Sequence, residues 1–343
     1  MRRSLLTLSC AMLGVAVFSA NLVGAPPKTR KIGPAPAAAK KVSDEITPDV
    51  KVATIQNRRI HALIIGTERD PNIGSGVGPS GARLKSMLES TFQDQVQINT
   101  VGFFSPDLAS PGNGTYDLAT VLRAIAELRG NVGPDDVVFC YVMSHGAFDP
   151  GHNDPKFENG HWFQTERLET LPRVNLMQDL LGLNARLTVL ISDSCNVPVK
   201  AARVSAAPAI AAPAGFNNPA LFSLLIEYEG QVDISASSEN QFAFYFPNAG
   251  GLFTDTFVSL AANDHRFTWS EFFNQLRDET EADFRAQIGS YPNPDLPGGV
   301  QTSLTPKQLR NPNWVRPYQS TAQAAAVKAR AAVAPAPPAP PKQ

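Results

Sequence analysis

Val137-Val138-Phe139-Cys140-Tyr141-Val142-Met143-Ser144-His145-Gly146 and Leu187-Thr188-Val189-Leu190-Ile191-Ser192-Asp193-Ser194-Cys195 are the two stretches whose reading decides the fold. Each is an apolar run with β-branched residues and turn signals around it, the pattern of a strand buried on both faces of a parallel sheet. Each also ends in a side chain capable of acid–base or nucleophilic chemistry, His145 on the first and Cys195 on the second. Open α/β sheets bind their ligands at the carboxyl ends of their strands. Both residues therefore fall where such a fold does its chemistry.

Outward from these runs, strand and helix patterns alternate. Residues 59–66 read as a first buried strand, followed by a Gly-rich loop and a helical pattern over 82–89. Residues 96–101 form a weaker strand, and 118–128 carry apolar residues at helical spacing that lead into the His145 strand. A helix over 174–181 leads into the Cys195 strand. Beyond it come an Ala/Pro-rich exposed loop over 196–219, a helix over 220–228, a strand over 231–238 with 241–246 as its neighbour, and helices from 251 and over 270–284. This order predicts an α/β fold with a mainly parallel sheet and right-handed crossovers.

The chain has 343 residues, 43 % hydrophobic, with a formal charge of −1. That is enough for one substantial core, and the near-neutral charge gives no reason to invoke nucleic acid. Residues 1–25 combine Met1-Arg2-Arg3 with an apolar run, as a secretory signal does. Ala25 and Ala20 are alternative cleavage points, and Pro26 disfavours the first. Left uncleaved, the roughly 19 apolar residues approach the ~20 that span a bilayer, so a membrane anchor is the alternative to secretion. Residues 26–51, rich in Pro, Ala and Lys, and 319–343, rich in Ala and Pro, read as disordered, which leaves 52–318 as the folded domain.

A thiol of ordinary pKa is little ionised near neutral pH, so a cysteine nucleophile needs an imidazole to take its proton or stabilise the thiolate. His145 suits that role and would later protonate a leaving amine. The backbone amides of Gly146 and Cys195 are the candidate oxyanion donors. The bland alternative makes Cys195 a small buried hydrophobe and His145 a satisfied surface residue; the strand-end placement of both favours the dyad. Cys140 lies five residues inside its strand, on the order of 16 Å from the strand end at ~3.3 Å per residue. That is too far for a disulfide to Cys195, which needs Cα atoms within ~7 Å, so Cys140 reads as a core residue and Cys195 as a free thiol.

These residues together resemble the caspase-like cysteine peptidases, in particular the metacaspases and their bacterial relatives, over the core from Ile60 to Thr302. Tyr141-Val142-Met143-Ser144-His145-Gly146 resembles the family's Tyr-Ser-Gly-His-Gly, and Asp193-Ser194-Cys195 its Asp-x-Cys; the roughly 50-residue separation of His and Cys is one already described for caspases. Ile234-Ser235-Ala236-Ser237 and Gly251-Leu252-Phe253-Thr254 follow in the family's order. The resemblance implies a caspase-like three-layer sandwich with a mainly parallel sheet of about six strands flanked by helices. It also implies a cysteine endopeptidase with His145 as base and Cys195 as nucleophile, acting on peptide or protein substrates.

By the same resemblance Asp193 lines a pocket for a basic P1 side chain, with Met143 and Ser144 beside it; the alternative for Asp193 is a strand-end turn cap. A carboxylate facing Arg or Lys is sensible, and it would repel the Asp that caspases accept. The family's second pocket acid falls on Gly81 or Ser80, its pocket serine on Met143, and Asn196-Val197 replaces His-Ser. These departures favour, as the rival reading, a catalytically impaired binding or scaffolding protein of the same fold; another thiol hydrolase is a further rival. Lys200 and Arg203, in the loop after Cys195, are the self-cleavage points that a basic pocket implies.

Two other stretches resemble ligand sites only formally. Gly76-Val77-Gly78-Pro79-Ser80-Gly81 formally matches a dinucleotide fingerprint. It stands too far beyond the first strand, so it reads as a flexible loop flanking the active site. Asp149, His152, Asp154, Glu158 and His161 lack the tight spacing of a metal site and read as a solvated loop. No cofactor is expected, although the resemblance leaves a calcium effect open.

Overall fold

The structure, a computed structural model, describes residues 58–109, 114–149, 160–198, 218–309 and 315–318. Its first half runs β1 (Ile60–Gly66), α1 (Gly74–Phe92), β2 (Val96–Val101), α2 (Leu118–Arg129), β3 (Val137–Met143), β4 (Gly146–Ala147), β5 (Trp162–Gln164), β6 (Thr170–Pro172), α3 (Arg173–Leu181) and β7 (Leu187–Asp193). The second half runs α4 (Pro219–Ile226), β8 (Tyr228–Ser235), β9 (Tyr245–Phe246), β10 (Gly250–Gly251), α5 (Leu252–Ala261), α6 (Trp269–Gln287), β11 (Tyr291–Pro292), β12 (Val300–Gln301), β13 (Lys307–Gln308) and β14 (Val315–Pro317). Residues 1–25, 26–51 and 319–343, expected to be a leader, a linker and a tail, lie outside the described residues.

Seven strands form the main sheet, in the order β13-β8-β7-β3-β1-β2 with β14 also on β8. The five strands β8, β7, β3, β1 and β2 are parallel, and β13 and β14 close the β8 edge antiparallel. Because β1, β3 and β7 are buried along their whole length, side chains pointing to either face must meet a helix. Phe139, Tyr141 and Met143 face one layer, where Val77 and Leu84 of α1, Leu221 of α4, Phe257 of α5 and Phe272 of α6 pack. Val138, Cys140 and Val142 face the other, against Val121 and Ile125 of α2 and Leu176 and Leu180 of α3. The protein is thus an α/β three-layer sandwich, helices on both faces of a mostly parallel sheet. Each such aliphatic or aromatic side chain, removed from water, contributes about 1.5–3 kcal/mol.

The chain leaves β1 for β2 on one side and then crosses to β3 on the other. The strand order therefore reverses at the β1/β3 pair, and in such sheets a crevice opens there at the carboxyl ends. The crossover helices agree, since α1 lies on the layer opposite to α2.

Three elements differ from the expectation. The Gly-rich stretch before residue 82 is helical, because α1 begins at Gly74. Its glycines serve close packing: a Cβ on Gly81 would come within 2.6 Å of the Phe103 ring, and one on Gly76 within 2.9 Å of the Phe246 carbonyl. Pro79 has no N–H to donate to the Ser75 carbonyl one turn earlier. The backbone N–H of Asn248 takes that place at 2.9 Å. Residues 241–246, expected beside β8 in the sheet, instead lie against Asn196 and Cys195 beyond the end of β7, where Gln241 bridges Asn196, and Tyr245–Phe246 pairs with Gly250–Gly251. The strand expected over 231–238 starts earlier, at Tyr228, directly after α4.

The contact between Gly81 and Phe103 makes a specific demand. Gly81→Val should destabilise the fold by about 1–3 kcal/mol through overpacking despite valine's better helix propensity. Urea unfolding measures it, and an unchanged stability would show that this helix face is not in tight contact.

Candidate active site

β3 and β7 pair residue for residue, ending with Met143 opposite Asp193. Two further residues take each chain to His145 and to Cys195, so the two side chains leave neighbouring strands at the same level. The chains stay together beyond that point: Phe148 donates its N–H to Val197 O at 2.9 Å. Gly146 makes this approach feasible, because a Cβ there would collide with the Cys195 carbonyl and lie 2.9 Å from His161 Nε2.

The turn carrying Cys195 is fixed through three successive carbonyls, each accepting from a side chain of a different segment. Tyr245 donates its hydroxyl to Asp193 O at 2.6 Å, Ser237 to Ser194 O at 2.8 Å, and His161 donates Nε2–H to Cys195 O at 3.0 Å. A carbonyl only accepts, so His161 carries its proton on Nε2. Burial and the nearby Arg173 guanidinium push the His161 pKa down to about 3, which keeps the ring neutral. Arg173, buried at the start of α3, accounts for that field. It is paired with Asp233 of β8 and also donates to Ser192 of β7.

Cys195 is 8 % exposed. Its sulfur accepts the Ala243 N–H at 3.3 Å and lies 3.8 Å from the Ala243 carbonyl. Burial pushes the thiol up to about 12, only partly offset by Ala243 and reinforced by the charge of Asp193. The His145 ring, whose side chain is 16 % exposed, has its Nε2 3.1 Å from Asp70 Oδ2 in the loop after β1. Among the described residues no hydrogen bond joins His145 to Cys195. Burial alone would raise the Asp70 carboxyl, but the hydrogen bond and charge of His145 and the N–H groups of Asn72 and Ile73 bring it below its ordinary value.

Asp193 is fully buried at the N-terminus of α5. Its Oδ2 accepts the Thr254 N–H at 3.2 Å and the Thr254 hydroxyl at 2.7 Å, as a helix-capping carboxylate does. Its Oδ1 has no hydrogen-bond partner among the described residues. Desolvation, opposed by the two Thr254 bonds, raises its pKa to about 7. Asp255 is raised to about 7 as well, by burial against the pull of Arg83, with which it forms an ion pair beside Gly250. Ser80, at one of the two positions matching the family's second pocket acid, accepts the Gly251 N–H at 2.9 Å.

The other expected site residues sort as follows. Met143 is fully buried in the hydrophobic layer and Ser144 is buried with its hydroxyl turned to the His145 carbonyl. In this conformation neither side chain offers a surface to a substrate, because the strand end that carries them is enclosed. His161, read with the solvated loop, is instead a buried support of the Cys195 turn. Asp70 carried no signal in the spacing of the motifs, although an Asp-Pro-Asn turn directly after a buried strand is a place to look for a carboxylate. Lys200 and Arg203, like His152, Asp154 and Glu158, lie outside the described residues. Among the described residues no group of three His, Cys, Asp or Glu side chains is placed to hold a metal ion.

No family model and no curated protein matches the sequence. In structure the chain is similar to a caspase-1 from Spodoptera frugiperda, at 10 % identity over 74 % of this chain and 88 % of that one, with a TM-score of 0.47. It is also similar to a protein from Geobacter sulfurreducens, at 14 % identity over 77 % of this chain and 96 % of that one, with a TM-score of 0.42.

Two measurements probe this geometry. Tyr245→Phe leaves the Asp193 carbonyl buried without its donor and should cost about 1–3 kcal/mol in urea unfolding; no loss would mean that another group takes the bond. Asp193 has its folded-state pKa raised, so its contribution is fully present below about pH 4 and is lost as pH rises to about 7. Asp193→Asn should therefore lose less stability than the wild type between about pH 5 and about pH 8. Equal losses would place the Asp193 carboxyl in a solvated setting.

Proposed function

We propose that the chain is a caspase-like cysteine endopeptidase that hydrolyses peptide bonds after Arg or Lys, with Cys195 as nucleophile and His145 as base. The observation carrying this reading is the register that sets Met143 opposite Asp193 and so brings His145 and Cys195 level at adjacent strand ends. His145 takes the thiol proton as Cys195 Sγ bonds to the substrate carbonyl carbon. The C–N bond then breaks as the same ring returns the proton to the leaving amine. Water, deprotonated by His145, releases the acyl group and restores the thiol. The Gly146 and Cys195 amides are the donors proposed for the oxyanion, supported by the close approach of Gly146 to the Cys195 turn.

For specificity the reading rests on the Asp193 Oδ1 that has no partner, near a second raised carboxyl at Asp255. An entering guanidinium or ammonium would complete that carboxylate and favour its ionised form. Lys200 and Arg203 are then substrates of the chain itself, and residues 1–25 would direct it to the periplasm or the exterior.

A second reading is a binding or scaffolding protein of the same fold without turnover. It is favoured by the buried thiol, raised to about 12 and bonded to Ala243 rather than to His145. Wild type and Cys195→Ala, each offered peptides ending in Arg, Lys or Asp and a thiol-directed covalent probe, separate the two. The peptidase reading expects cleavage after Arg and Lys, with cleavage and labelling both absent in the variant. Labelling of the wild type without cleavage of any peptide would support the binding protein, and cleavage surviving in Cys195→Ala would remove Cys195 from the mechanism.

A further inference from the structure

β7, β3 and β1 lie side by side in the sheet, and the segments that leave their carboxyl ends carry Cys195, His145 and Asp70. His145 therefore follows the middle strand, with the thiol carried beyond the strand on one side and a carboxylate in the loop beyond the strand on the other. Asp70 Oδ2 lies 3.1 Å from His145 Nε2. The other oxygen, Oδ1, accepts the N–H of Asn72 at 2.8 Å and of Ile73 at 3.1 Å, in the turn just before α1. The carboxylate cannot turn from the ring without breaking the hydrogen bonds of that turn. The loop itself is pinned, with Thr67 donating its N–H to Met143 O at 3.1 Å and Asp70 to Thr67 O at 3.0 Å. The neighbouring Arg69 has its guanidinium stacked over the Phe104 ring.

We propose that Asp70 is the positioning residue of a Cys195–His145–Asp70 triad, holding His145 as the Nε2–H tautomer so that Nδ1 is the atom that takes the thiol proton. This rests on the peptidase reading above. An ionised carboxylate only accepts, so a neutral ring facing it must carry its hydrogen on Nε2. When Nδ1 takes the proton from Sγ, the ring becomes an imidazolium. Its charge then lies between the attacking sulfur, bonding to the substrate carbonyl carbon, on one side and the Asp70 carboxylate on the other, and no reactant beyond the peptide is needed. Asp70 touches neither substrate nor thiol; it acts through the ring.

Asp70→Asn tests this cleanly, because its Oδ1 can keep accepting from Asn72 and Ile73 while its amide nitrogen donates to Nε2 and imposes the opposite tautomer. Long-range 1H–15N spectra of the 15N-histidine-labelled chain with the rings neutral, assigned by His145→Ala, report which nitrogen is protonated. The expected result is Nε2–H in the wild type and Nδ1–H in D70N. A wild type with Nδ1–H, or a variant that keeps Nε2–H, overturns the proposal, and the wild-type spectrum decides it even if D70N fails to fold. With the Arg and Lys peptides, D70N should lower kcat by about 10²–10⁴-fold with KM within about twofold, the size of effect known when a triad carboxylate becomes an amide. An unchanged kcat also overturns it. If the wild type cleaves no peptide, the peptidase reading fails while the tautomer measurement still decides the role of Asp70.

Discussion

The register between β3 and β7 is the constraint on which the rest of the site depends. In a strand, successive side chains point to opposite faces, so a slip of one residue would exchange the two layers. Phe139 and Tyr141 would then leave the aromatic cluster they form with Phe257, and Cys140 and Val142 would leave the α2/α3 layer. Because both layers are apolar and buried, a one-residue slip in either direction has no compensating contact, and hydrophobic burial supports the pairing of Met143 with Asp193. The polar site inherits its geometry from an apolar interior. Cys140 illustrates the division: it has the chemistry of Cys195, but it is packed in the apolar α2/α3 layer and burial raises its thiol.

Burial of the strand ends has a second consequence, which is that their backbone groups need internal partners. Beyond β7 the carbonyls of residues 193 to 195 point away from the sheet ladder, and Tyr245, Ser237 and His161 satisfy them. These donors come from a hairpin strand, from the loop after β8 and from the segment before β5. The Cys195 turn is therefore held by three segments that are distant in sequence. The Arg173–Asp233 pair extends this coupling from α3 to β8. A buried pair of this kind roughly balances its desolvation cost, yet losing one partner is expensive. It supplies rigidity more than net stability.

What was legible in the sequence was the part that hydrophobic patterning controls. The uninterrupted apolar runs placed β1, β3 and β7, and their ends placed His145 and Cys195 on one edge of the sheet. The start of α1 was not legible, because Gly74, Gly76, Gly78 and Pro79 read locally as a loop. Only Phe103, Phe246 and the Asn248 N–H, all distant in sequence, make a helix the better state there. Residues 241–246 alternate well enough for a strand, but the edge of β8 is taken by β13 and β14. Asp70 and His161 are single polar residues in connecting segments, and their roles exist only through partners across the sheet.

The energetics of the Cys195 thiol bear on how such a site would work. Ionising a group of pKa about 12 near neutral pH costs on the order of 7 kcal/mol, and this already includes the Ala243 N–H on the sulfur. An imidazolium brought to ~4 Å would return about 4 kcal/mol at the effective dielectric typical of protein sites. The remainder argues against a standing thiolate–imidazolium pair in this conformation. Proton transfer to His145 then has to accompany formation of the sulfur–carbon bond, so that charge passes to the substrate oxygen instead of resting on sulfur. In that regime the orientation of the ring matters more than its charge, because the accepting lone pair must be in place when attack begins. The held conformation of His145 at the β1/β3 crevice is the structural counterpart of that demand.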